Sequence, residues 1–401
     1  MQNFKSLLLS SLLTGCFIPS AQADANDTFN IYLAASAQRD SNLFRQAANE
    51  QADTLQTTSL TLALSKPFAQ QLFSLQATMI DYRYARNDYL DYRAMNYNAA
   101  WNWALTHRLT GVLSFNQTEA QNSFVDYTVT GPQTRPNVRK TIVNHFGAEW
   151  QVMGGWRLLG GVTGNEQKNS STFNAQSSYV LNTWEGGIKY LWPAGNYLQL
   201  VQREGKGEYS DRQLVDFNTV PAPFNPQYDT GFGQSETEAR LFVPLTGKTS
   251  LSARLARQSR KHDHFGQRDY AATVGRIDVS WQASGKLFLT GGLRREVAAY
   301  QDFFSSYYVA DGFNLQPSWQ ITNKVAMRLN YDWQRRKYDG ELIAGVPERS
   351  DTLQSLVLGV DWFPVRWASL SANLQRDSRN SSRSNLDFAA EIYSLNARFN
   401  F

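Results

Sequence analysis

Long hydrophobic runs are missing from this sequence of 401 residues, although 42% of its residues are hydrophobic. A membrane-spanning helix needs about 20 consecutive apolar residues, so the sequence excludes a helical membrane protein. Cysteine is almost missing as well, because Cys16 is the only one. Since Cys16 lies close to the amino terminus, the rest of the chain has no thiol for a disulfide or for redox chemistry.

Domain boundaries and catalytic motifs are also missing. A chain of this length would ordinarily form two or three globular domains, but no linker, composition break or low-complexity segment divides it. No serine lies in a nucleophile elbow, and no glycine-rich loop leads into a helix. The Lys261-His262-Asp263-His264 segment offers two histidines without further metal ligands. We therefore expect one large closed sheet, with no enzyme activity, no cofactor and no metal site.

The net charge of +4 does not indicate a nucleic-acid-binding protein. The basic residues are spread along the whole chain instead of forming the patch or stripe that binds phosphates. We therefore expect no nucleic-acid partner.

Alternation of apolar and polar residues is the pattern that the sequence does contain. In the segment 393–401, the odd positions are Tyr393, Leu395, Ala397, Phe399 and Phe401, and every even position is polar. A β-strand points successive side chains to opposite faces, so one face here is apolar and the other polar. A strand that ends in phenylalanine also resembles the carboxy-terminal assembly signal of bacterial outer-membrane barrels. That resemblance implies the barrel-assembly machinery as a partner during insertion.

Similar segments of about ten residues recur along the chain, separated in turn by short and long connections. This pattern is typical of transmembrane β-barrels. We predict an all-β fold, an antiparallel barrel of about 18 strands with 16 as the alternative, in which eight short turns are periplasmic and nine longer loops extracellular. Tryptophans beside the short turns predict an aromatic girdle at one membrane interface: Trp101, Trp103, Trp150, Trp156, Trp192, Trp281, Trp319, Trp362 and Trp367.

The barrel interpretation assigns charged side chains to the interior. A charge is costly in an apolar core unless it is paired, so charges that alternate with apolar residues indicate a hydrated lumen. The expected lumen-lining residues, which would form a substrate path, are Lys189, Arg240, Arg254, Arg276, Arg294, Arg328 and Arg398. Acidic residues on the same side are Glu149, Glu185, Glu236, Glu238, Asp278, Glu296, Asp332 and Asp361. Two interpretations are open: the charges pair across strands and only keep the lumen wet, or the cations attract an anionic or hydroxyl-rich solute.

The amino-terminal segment has the features of an export signal. Lys5 precedes the apolar segment 7–13, and Ala21-Gln22-Ala23 is a small-residue cleavage site. We expect a signal peptide at residues 1–23 and the barrel at residues 24–401, in the outer membrane of a Gram-negative bacterium and in contact with its lipid. The alternative is lipoprotein processing at Leu13-Thr14-Gly15-Cys16, in which Cys16 would be acylated.

The segment Arg39-Asp40-Ser41-Asn42-Leu43-Phe44-Arg45, which follows the first expected strand, resembles a motif in EpsL-type outer-membrane proteins. The length, the signal sequence and the terminal phenylalanine are similar as well. The resemblance implies a role in exopolysaccharide export or assembly, with polysaccharide and periplasmic export components as partners. It brings no catalytic residues.

Three functions are therefore considered. The first is a passive conduit for exopolysaccharide through a hydrated lumen. The second is a general or sugar-specific uptake porin, which needs the same wall. The third is a lectin-like barrel that anchors surface polysaccharide through the long loops near 122–137 and 210–231.

Overall fold

The chain forms one closed antiparallel sheet. The computed structural model describes residues 28–126, 136–171, 177–221, 225–302, 304–343, 345 and 347–401. These residues contain 18 strands, in which each strand pairs with its neighbours in sequence and the last pairs with the first. The prediction of an 18-stranded barrel is confirmed, and the alternative of 16 strands is wrong. The expected signal peptide and Cys16 lie outside the described residues.

The strands are 12 to 16 residues long. The first nine are β1 (Phe29–Asp40), β2 (Asp53–Phe68), β3 (Gln71–Tyr84), β4 (Tyr92–Thr106), β5 (Leu109–Gln121), β6 (Val138–Met153), β7 (Trp156–Asn169), β8 (Tyr179–Leu191) and β9 (Tyr197–Tyr209). The others are β10 (Gly231–Thr246), β11 (Thr249–His262), β12 (Tyr270–Gln282), β13 (Leu287–Ala299), β14 (Tyr307–Thr322), β15 (Val325–Asp339), β16 (Ser350–Val365), β17 (Ala368–Ser381) and β18 (Phe388–Asn400).

In the described residues, helical structure is confined to single turns between strands. These turns are Asp88–Leu90, Phe124–Asp126, Gly266–Arg268 and Ser384–Leu386. None of the described helices has the length and the apolar content that crossing a membrane would require.

The connections divide by length between the two ends of the barrel. Eight short turns lie at one end, together with the start of β1 and the end of β18, and nine longer loops lie at the other. We name these the short-turn end and the long-loop end. In outer-membrane barrels the short turns are periplasmic and the long loops extracellular, and we expect the same orientation for this barrel.

The outer face of the barrel is apolar. Large side chains such as Leu255, Leu293 and Leu395 are 60%, 62% and 66% exposed. A soluble protein rarely exposes so much contiguous apolar surface, whereas a barrel in lipid requires it. The outer face therefore fits a lipid environment.

Tryptophans surround the outer face near the short-turn end. About half of each side chain is exposed at Trp150, Trp156, Trp281, Trp319, Trp362 and Trp367. Trp103 differs, because it is buried and stacks on Phe146 with ring centroids 5.9 Å apart. Gly111 permits this, since a Cβ there would lie 2.3 Å from the indole of Trp103. The group has the arrangement of an interfacial aromatic girdle.

The barrel closes where β1 meets β18. Ile31 and Phe401 exchange two backbone hydrogen bonds of 2.9 and 2.8 Å at the short-turn end. At the long-loop end, the Asn42 side chain donates to the carbonyl of Ala389 on β18 at 3.0 Å, and Arg45 pairs with Asp40 at 2.8 Å. The segment 39–45, which carries the EpsL-type resemblance, thus stabilises the closure of the barrel.

Two prolines lie inside strands instead of in the neighbouring turns. Lys66 and Pro67 lie inside β2, with the turn at residues 69–70, and Pro364 lies inside β16, with the turn at residues 366–367. Proline is tolerated in a strand where its missing N–H is not needed for a ladder hydrogen bond. Pro67 meets this condition, because β1 pairs with β2 only as far as Leu64.

Replacing Gly207 by alanine should destabilise the barrel by about 1–3 kcal/mol, the usual cost of overpacking. A Cβ at Gly207 would lie 2.2 Å from the ring of Phe232, which is 2% exposed and has little room to move. The loss should appear as earlier unfolding in denaturant, followed by tryptophan fluorescence. Gly233→Ala on the neighbouring strand is the control, since a Cβ there meets no atom within 4 Å. Equal stability of the two variants would contradict this packing.

Candidate functional site

A row of basic side chains crosses the inner wall from β7 to β13. Residues in direct register on neighbouring strands point to the same face of the sheet. The pairings align, in order, Arg157, Lys189, Gln199, Arg240, Arg254, Arg276 and Arg294. Six of these seven positions are therefore cationic on adjacent strands. We name these six cations the basic row.

The basic row climbs along the barrel axis. Paired residues lie perpendicular to the strands, and barrel strands tilt by about 35–45° from the axis. Six strand spacings of about 4.8 Å extend over roughly 29 Å of the wall. About 18 Å of this distance is parallel to the axis at such a tilt. A solute that follows the basic row would therefore advance through much of the membrane.

Carboxylates beside the basic row pair with its members. Glu149 accepts from Arg157 and from Lys189, the latter at 2.9 Å. Glu238 pairs with Arg254 at 2.5 Å and with Arg240 at 3.0 Å. Arg254 also pairs with Glu236 at 2.8 Å, and Arg276 pairs with Asp278 at 2.6 Å. Arg203 contacts Glu185, Glu236 and Glu238 at 2.7, 2.8 and 3.2 Å. Pairing compensates the burial of these charges on a wall that also faces water.

The two signs of charge are not equally accessible on β10–β12. The side chains of Arg240, Arg254 and Arg276 are 31–32% exposed, whereas those of Glu238 and Asp278 are 1% and 15% exposed. The carboxylates thus lie against the wall beneath the guanidinium groups. A guanidinium has five N–H donors and can bind a second acceptor after pairing with a carboxylate. This part of the wall therefore presents mainly donors to the lumen.

Glycines make room for two of the longer ion pairs. Arg294 on β13 reaches Asp332 on β15 with two hydrogen bonds of 2.8 Å. It passes Gly312 on β14, where a Cβ would lie 3.1 Å from the guanidinium carbon. Gly359 likewise leaves room for Arg328, since a Cβ at Gly359 would lie 3.2 Å from Nη2 of Arg328. Arg328 binds Asp361.

The wall formed by β1–β5 is different because its inward residues are uncharged along most of its height. Within these five strands, the only charged residues that face inward are Asp40 and Asp53, and both lie at the long-loop end. The uncharged residues hydrogen-bond to one another, as between Thr61 and Thr78 at 2.9 Å and between Asn98 and Asn116. Hydroxyls and amides both donate and accept hydrogen bonds, so this wall suits a polar, uncharged part of a solute.

The structure does not bring all the expected lumen residues together. Lys189, Arg240, Arg254, Arg276 and Arg294 belong to the basic row, whereas Arg328 and Arg398 lie elsewhere on the inner face. Arg398 lies over the ring of Tyr32 at 4.2 Å, on the wall near the β1–β18 closure. Only five of the seven residues therefore lie on one continuous path.

Sequence reasoning missed Arg157, Arg203 and Arg260. Arg157 follows the outward Trp156, so the alternation could have identified it. The outward neighbours of Arg203 and Arg260 are polar: Gln202, Glu204, Ser259 and Lys261. Without apolar neighbours, no alternation indicates which side chain faces inward.

Loops narrow the long-loop end. In the β5–β6 loop, the carbonyl of Val125 accepts from Arg379 of β17 at 2.6 Å, although β17 lies six strands away. In the β9–β10 loop, Arg212 donates to Gln301 of the β13–β14 loop. The described parts of these two loops, around Val125 and Arg212, therefore extend over the mouth of the barrel.

Asp229 organises the β9–β10 loop from a buried position. Its carboxylate accepts from the backbone N–H groups of Thr230, His264 and Phe265 at 2.7, 2.6 and 2.9 Å. It also contacts Nδ1 of His264 at 3.0 Å, while His262 binds Gln301. The two histidines of the 261–264 segment thus have separate partners, and in the described residues they are not part of a cluster of metal-binding side chains.

Acidification below pH 4 should loosen the loops around Asp229. Burial opposes ionisation, but hydrogen bonds from His264, Phe265 and Gly231 outweigh it and lower the pKa of Asp229 from 3.8 to about 2. A lowered pKa stabilises the fold above the ordinary value, and this contribution is lost as the pH falls from 3.8 to about 2. Hydrogen-exchange protection of the His264 and Phe265 amides should fall across that range. In Asp229→Asn protection should be low at every pH; a similar step in that variant would contradict the assignment.

Comparisons with known proteins add information on the fold. No protein-family profile and no curated protein matches the sequence. Among solved structures, the chain is similar to the outer membrane protein OpdK from Pseudomonas aeruginosa, with 12% identity, coverage of 93% of this chain and 99% of that one, and a TM-score of 0.51. It is also similar to OccK2 (OpdF) from the same organism in complex with glucuronate, at 12% identity, 93% and 98% coverage and a TM-score of 0.52.

A crystal structure of OpdK with vanillate gives a TM-score of 0.50 at 11% identity, covering 93% of this chain and 99% of that one. These similarities extend over almost the whole described barrel. They show that the chain shares the barrel fold of these outer-membrane proteins, and the apolar outer face of the barrel agrees with such an environment.

Proposed function

We propose that this protein is a passive uptake channel for small carboxylates that also carry hydroxyl groups. The observation that carries the proposal is the basic row, in which six cations, spread over seven adjacent strands, climb the inner wall. Guanidinium groups bind carboxylates with paired hydrogen bonds. A series of guanidinium groups lets an anion pass from one group to the next without being held at a single site of high affinity.

The opposite wall supports the hydroxylated part of the proposal. The inward amides and hydroxyls of β1–β5, such as Thr61, Thr78, Asn98 and Asn116, can hydrogen-bond a sugar-like body while the basic row holds its carboxylate. The similar structures agree with this substrate class, because OccK2 was crystallised with glucuronate and OpdK with vanillate. Both ligands are ring-bearing carboxylates.

Swelling of proteoliposomes tests the proposal. Glucuronate and glucose have similar sizes but differ in charge, so a simple sieve would pass both at similar rates. We expect glucuronate to enter several-fold faster, since the lumen attracts anions. Liposomes that contain protein unfolded before reconstitution provide the background. Rates ordered by size alone would overturn the proposal.

Export of exopolysaccharide is the second candidate. The segment 39–45 and the uncharged inner wall favour it, since hydroxyls and amides can also follow a neutral polymer. Two features weigh against it: Val125 and Arg212 extend over the mouth, and the 39–45 segment has a structural role at the closure. Deletion of the gene distinguishes the two functions, because loss of surface polymer with accumulation in the periplasm would favour export.

Surface anchoring of polysaccharide through the loops requires no open channel. Purified protein that binds polymer but carries no ionic current would favour this function over both others.

A further inference from the structure

The seam between β12 and β13 opens near the long-loop end of the barrel. The two strands pair only as far as Gly275 and Arg295. Above this point, residues 270–274 of β12 and 296–299 of β13 have no partners across the seam. Both segments remain strands, because β11 and β14 pair with them from the other side. We name this opening the wall split.

The seam between β4 and β5 also opens near the long-loop end, but polar side chains close it. Pairing there ends at Tyr97 and Gln117. Above this point, the Glu119 carboxylate accepts from the backbone N–H of Met95 at 3.0 Å, and the Asn96 side chain accepts from the N–H of Glu119 at 2.7 Å. The Gln117 side chain donates to the carbonyl of Met95 at 2.9 Å. Among the described residues, no side chain forms such a bond to the backbone of the wall split.

Apolar contacts close the wall split instead. Val297 of β13 packs against a buried cluster that includes Ala272 and Val274 of β12. At the top of the split, the rings of Tyr270 and Tyr307 meet with centroids 5.1 Å apart. Apolar contacts are not directional, so these side chains can separate and meet again. Opening the split would therefore break no ladder pairing between the strands.

An apolar groove of about 510 Å³ on the outer face leads to the wall split. It runs from Leu198 on β9 to Leu293 on β13, and four strand spacings of about 4.8 Å make it roughly 19 Å long. It reaches the wall split at Thr273 and Val274. We name it the outer groove. Small and large side chains alternate along it: Ala239, Leu241, Ala253, Leu255, Gly275 and Ile277. A narrow apolar groove of this length fits one alkyl chain.

A pocket of about 360 Å³ lies on the inner side of the wall split. Its lining includes Tyr270 of β12 and residues 297–299 of β13. We name it the inner pocket. The outer groove and the inner pocket therefore end on the same two unpaired segments, from opposite sides of the wall.

The wall split begins at the upper margin of the apolar outer face. Leu255 and Leu293, which lie just below it, are 60% and 62% exposed. An unpaired strand edge is excluded from the hydrocarbon core of a membrane but is tolerated beside a water-filled cavity. The wall split thus lies at the level of the lipid headgroups, with the lumen behind it.

We propose that the wall split is a lateral portal through which a single-chain amphiphile with an uncharged polar head passes between the membrane and the lumen. The alkyl chain lies in the outer groove and moves past Val297 into the inner pocket. It replaces the apolar contacts that it displaces, so opening exposes little apolar surface to water. The only charged side chain of the two unpaired segments is that of Glu296, which disfavours an anionic head.

This portal is a second route into the lumen and does not depend on the basic row or on the proposed uptake of carboxylates. A two-chain lipid does not fit it, because the outer groove offers room for one chain.

Photolabelling of the protein in lipid nanodiscs tests the portal. The probe is dodecanol that carries a photoreactive diazirine at the end of its chain, and mass spectrometry locates the labelled residues. The probe should label Leu255 in the outer groove. It should also label Tyr179 and Gln234, which line the inner pocket on strands away from the wall split. Ala120, on the inner face beside the β4–β5 seam, is the control position and should stay unlabelled.

A disulfide across the wall split distinguishes the portal from entry through the water of the lumen. Val274→Cys combined with Val297→Cys should form this bond on oxidation, because both side chains belong to one apolar contact. Cys16 is the only natural cysteine, so the barrel strands offer no other thiol. The label at Tyr179 and Gln234 should then fall to the level at Ala120. Reduction should restore it.

Ala253→Phe is the second variant if the disulfide does not form. It fills the outer groove from the lipid side without changing the inner wall, and it should also remove the label from the inner pocket. Ala372→Phe, on the outer face of β17, is the matched control and should label like the wild type. Absence of label in the inner pocket of the wild type would overturn the portal. Inner label that persists in the oxidised disulfide variant, or without that bond in Ala253→Phe, would overturn it as well.

Discussion

Replacing Arg254 and Arg276 together by glutamine should lower the ratio of anion to cation permeability roughly tenfold at low salt. At about 10 Å in water, one unit charge changes the energy of a passing monovalent ion by about 0.4 kcal/mol. Removing two charges disfavours anions by about 0.8 kcal/mol and favours cations by the same amount. Asp278 would then lose its arginine, whereas Glu236 would keep Arg203 and Glu238 would keep Arg203 and Arg240.

The measurement is the reversal potential of single channels in a planar bilayer under a salt gradient. The effect should shrink at 0.1 M salt, where the screening length is about 10 Å. Arg257→Gln combined with Arg295→Gln is the control, because both side chains lie on the outer face of β11 and β13. An unchanged ratio in the Arg254 and Arg276 variant would mean that the cations serve only to pair with carboxylates across strands.

Replacing Arg268 by alanine should open the long-loop end and raise the single-channel conductance. Arg268 is fully buried and donates to the carbonyls of Pro226 and Gln227 in the β9–β10 loop at 2.5 and 2.8 Å. It also donates to those of Asp302 and Ser305 in the β13–β14 loop, both at 3.2 Å. Burial lowers its pKa to about 10, so it stays charged at pH 7.

Each charge-assisted hydrogen bond contributes about 1.5–3 kcal/mol, so one substitution removes most of the local stabilisation that joins the two loops. The barrel itself should stay folded, because its backbone ladders do not involve Arg268. Larger solutes should also enter proteoliposomes faster. Arg83→Ala is the control, since Arg83 is half exposed and faces outward near the same end. Equal conductance of Arg268→Ala and the wild type would show that these loops do not limit the current.

The strand number and the inward faces could be predicted because apolar and polar residues alternate strictly where lipid lies on one side. Arg276, between outward Gly275 and Ile277, and Arg294, beside outward Leu293, illustrate this. The terminal segment from Tyr393 to Phe401 follows the same rule. Because contact with lipid requires apolar residues on the outer face, the alternation can be recognised in a single sequence.

The basic row could not be predicted, because it depends on the register between strands. Arg240 and Arg254 are aligned only since the turn between β10 and β11 and the bulge near Pro244 set the pairing. A shift of two residues would leave every face unchanged but would place Arg254 opposite Glu238. Alternation determines the face of each side chain but not its neighbour across the sheet.

The inward position of Arg260 could not be predicted from the sequence for another reason. Near the long-loop end, Arg260 lies between Ser259 and Lys261, because the wall there no longer contacts lipid. Phe232 and Tyr270 face inward, opposite to the rule that holds lower in the barrel. Contacts between distant loops, such as that of Arg212 with Gln301, leave no periodic signal at all.

The reversal potential of the wild-type protein in a tenfold potassium chloride gradient is the direct test of a lumen that attracts anions. We expect a steady ionic current whose reversal potential shifts toward that of chloride, because the donors of Arg240, Arg254 and Arg276 are more exposed than their carboxylates. A bilayer that stays silent after insertion, or a shift toward the potassium potential, would contradict a water-filled lumen in which these cations attract anions.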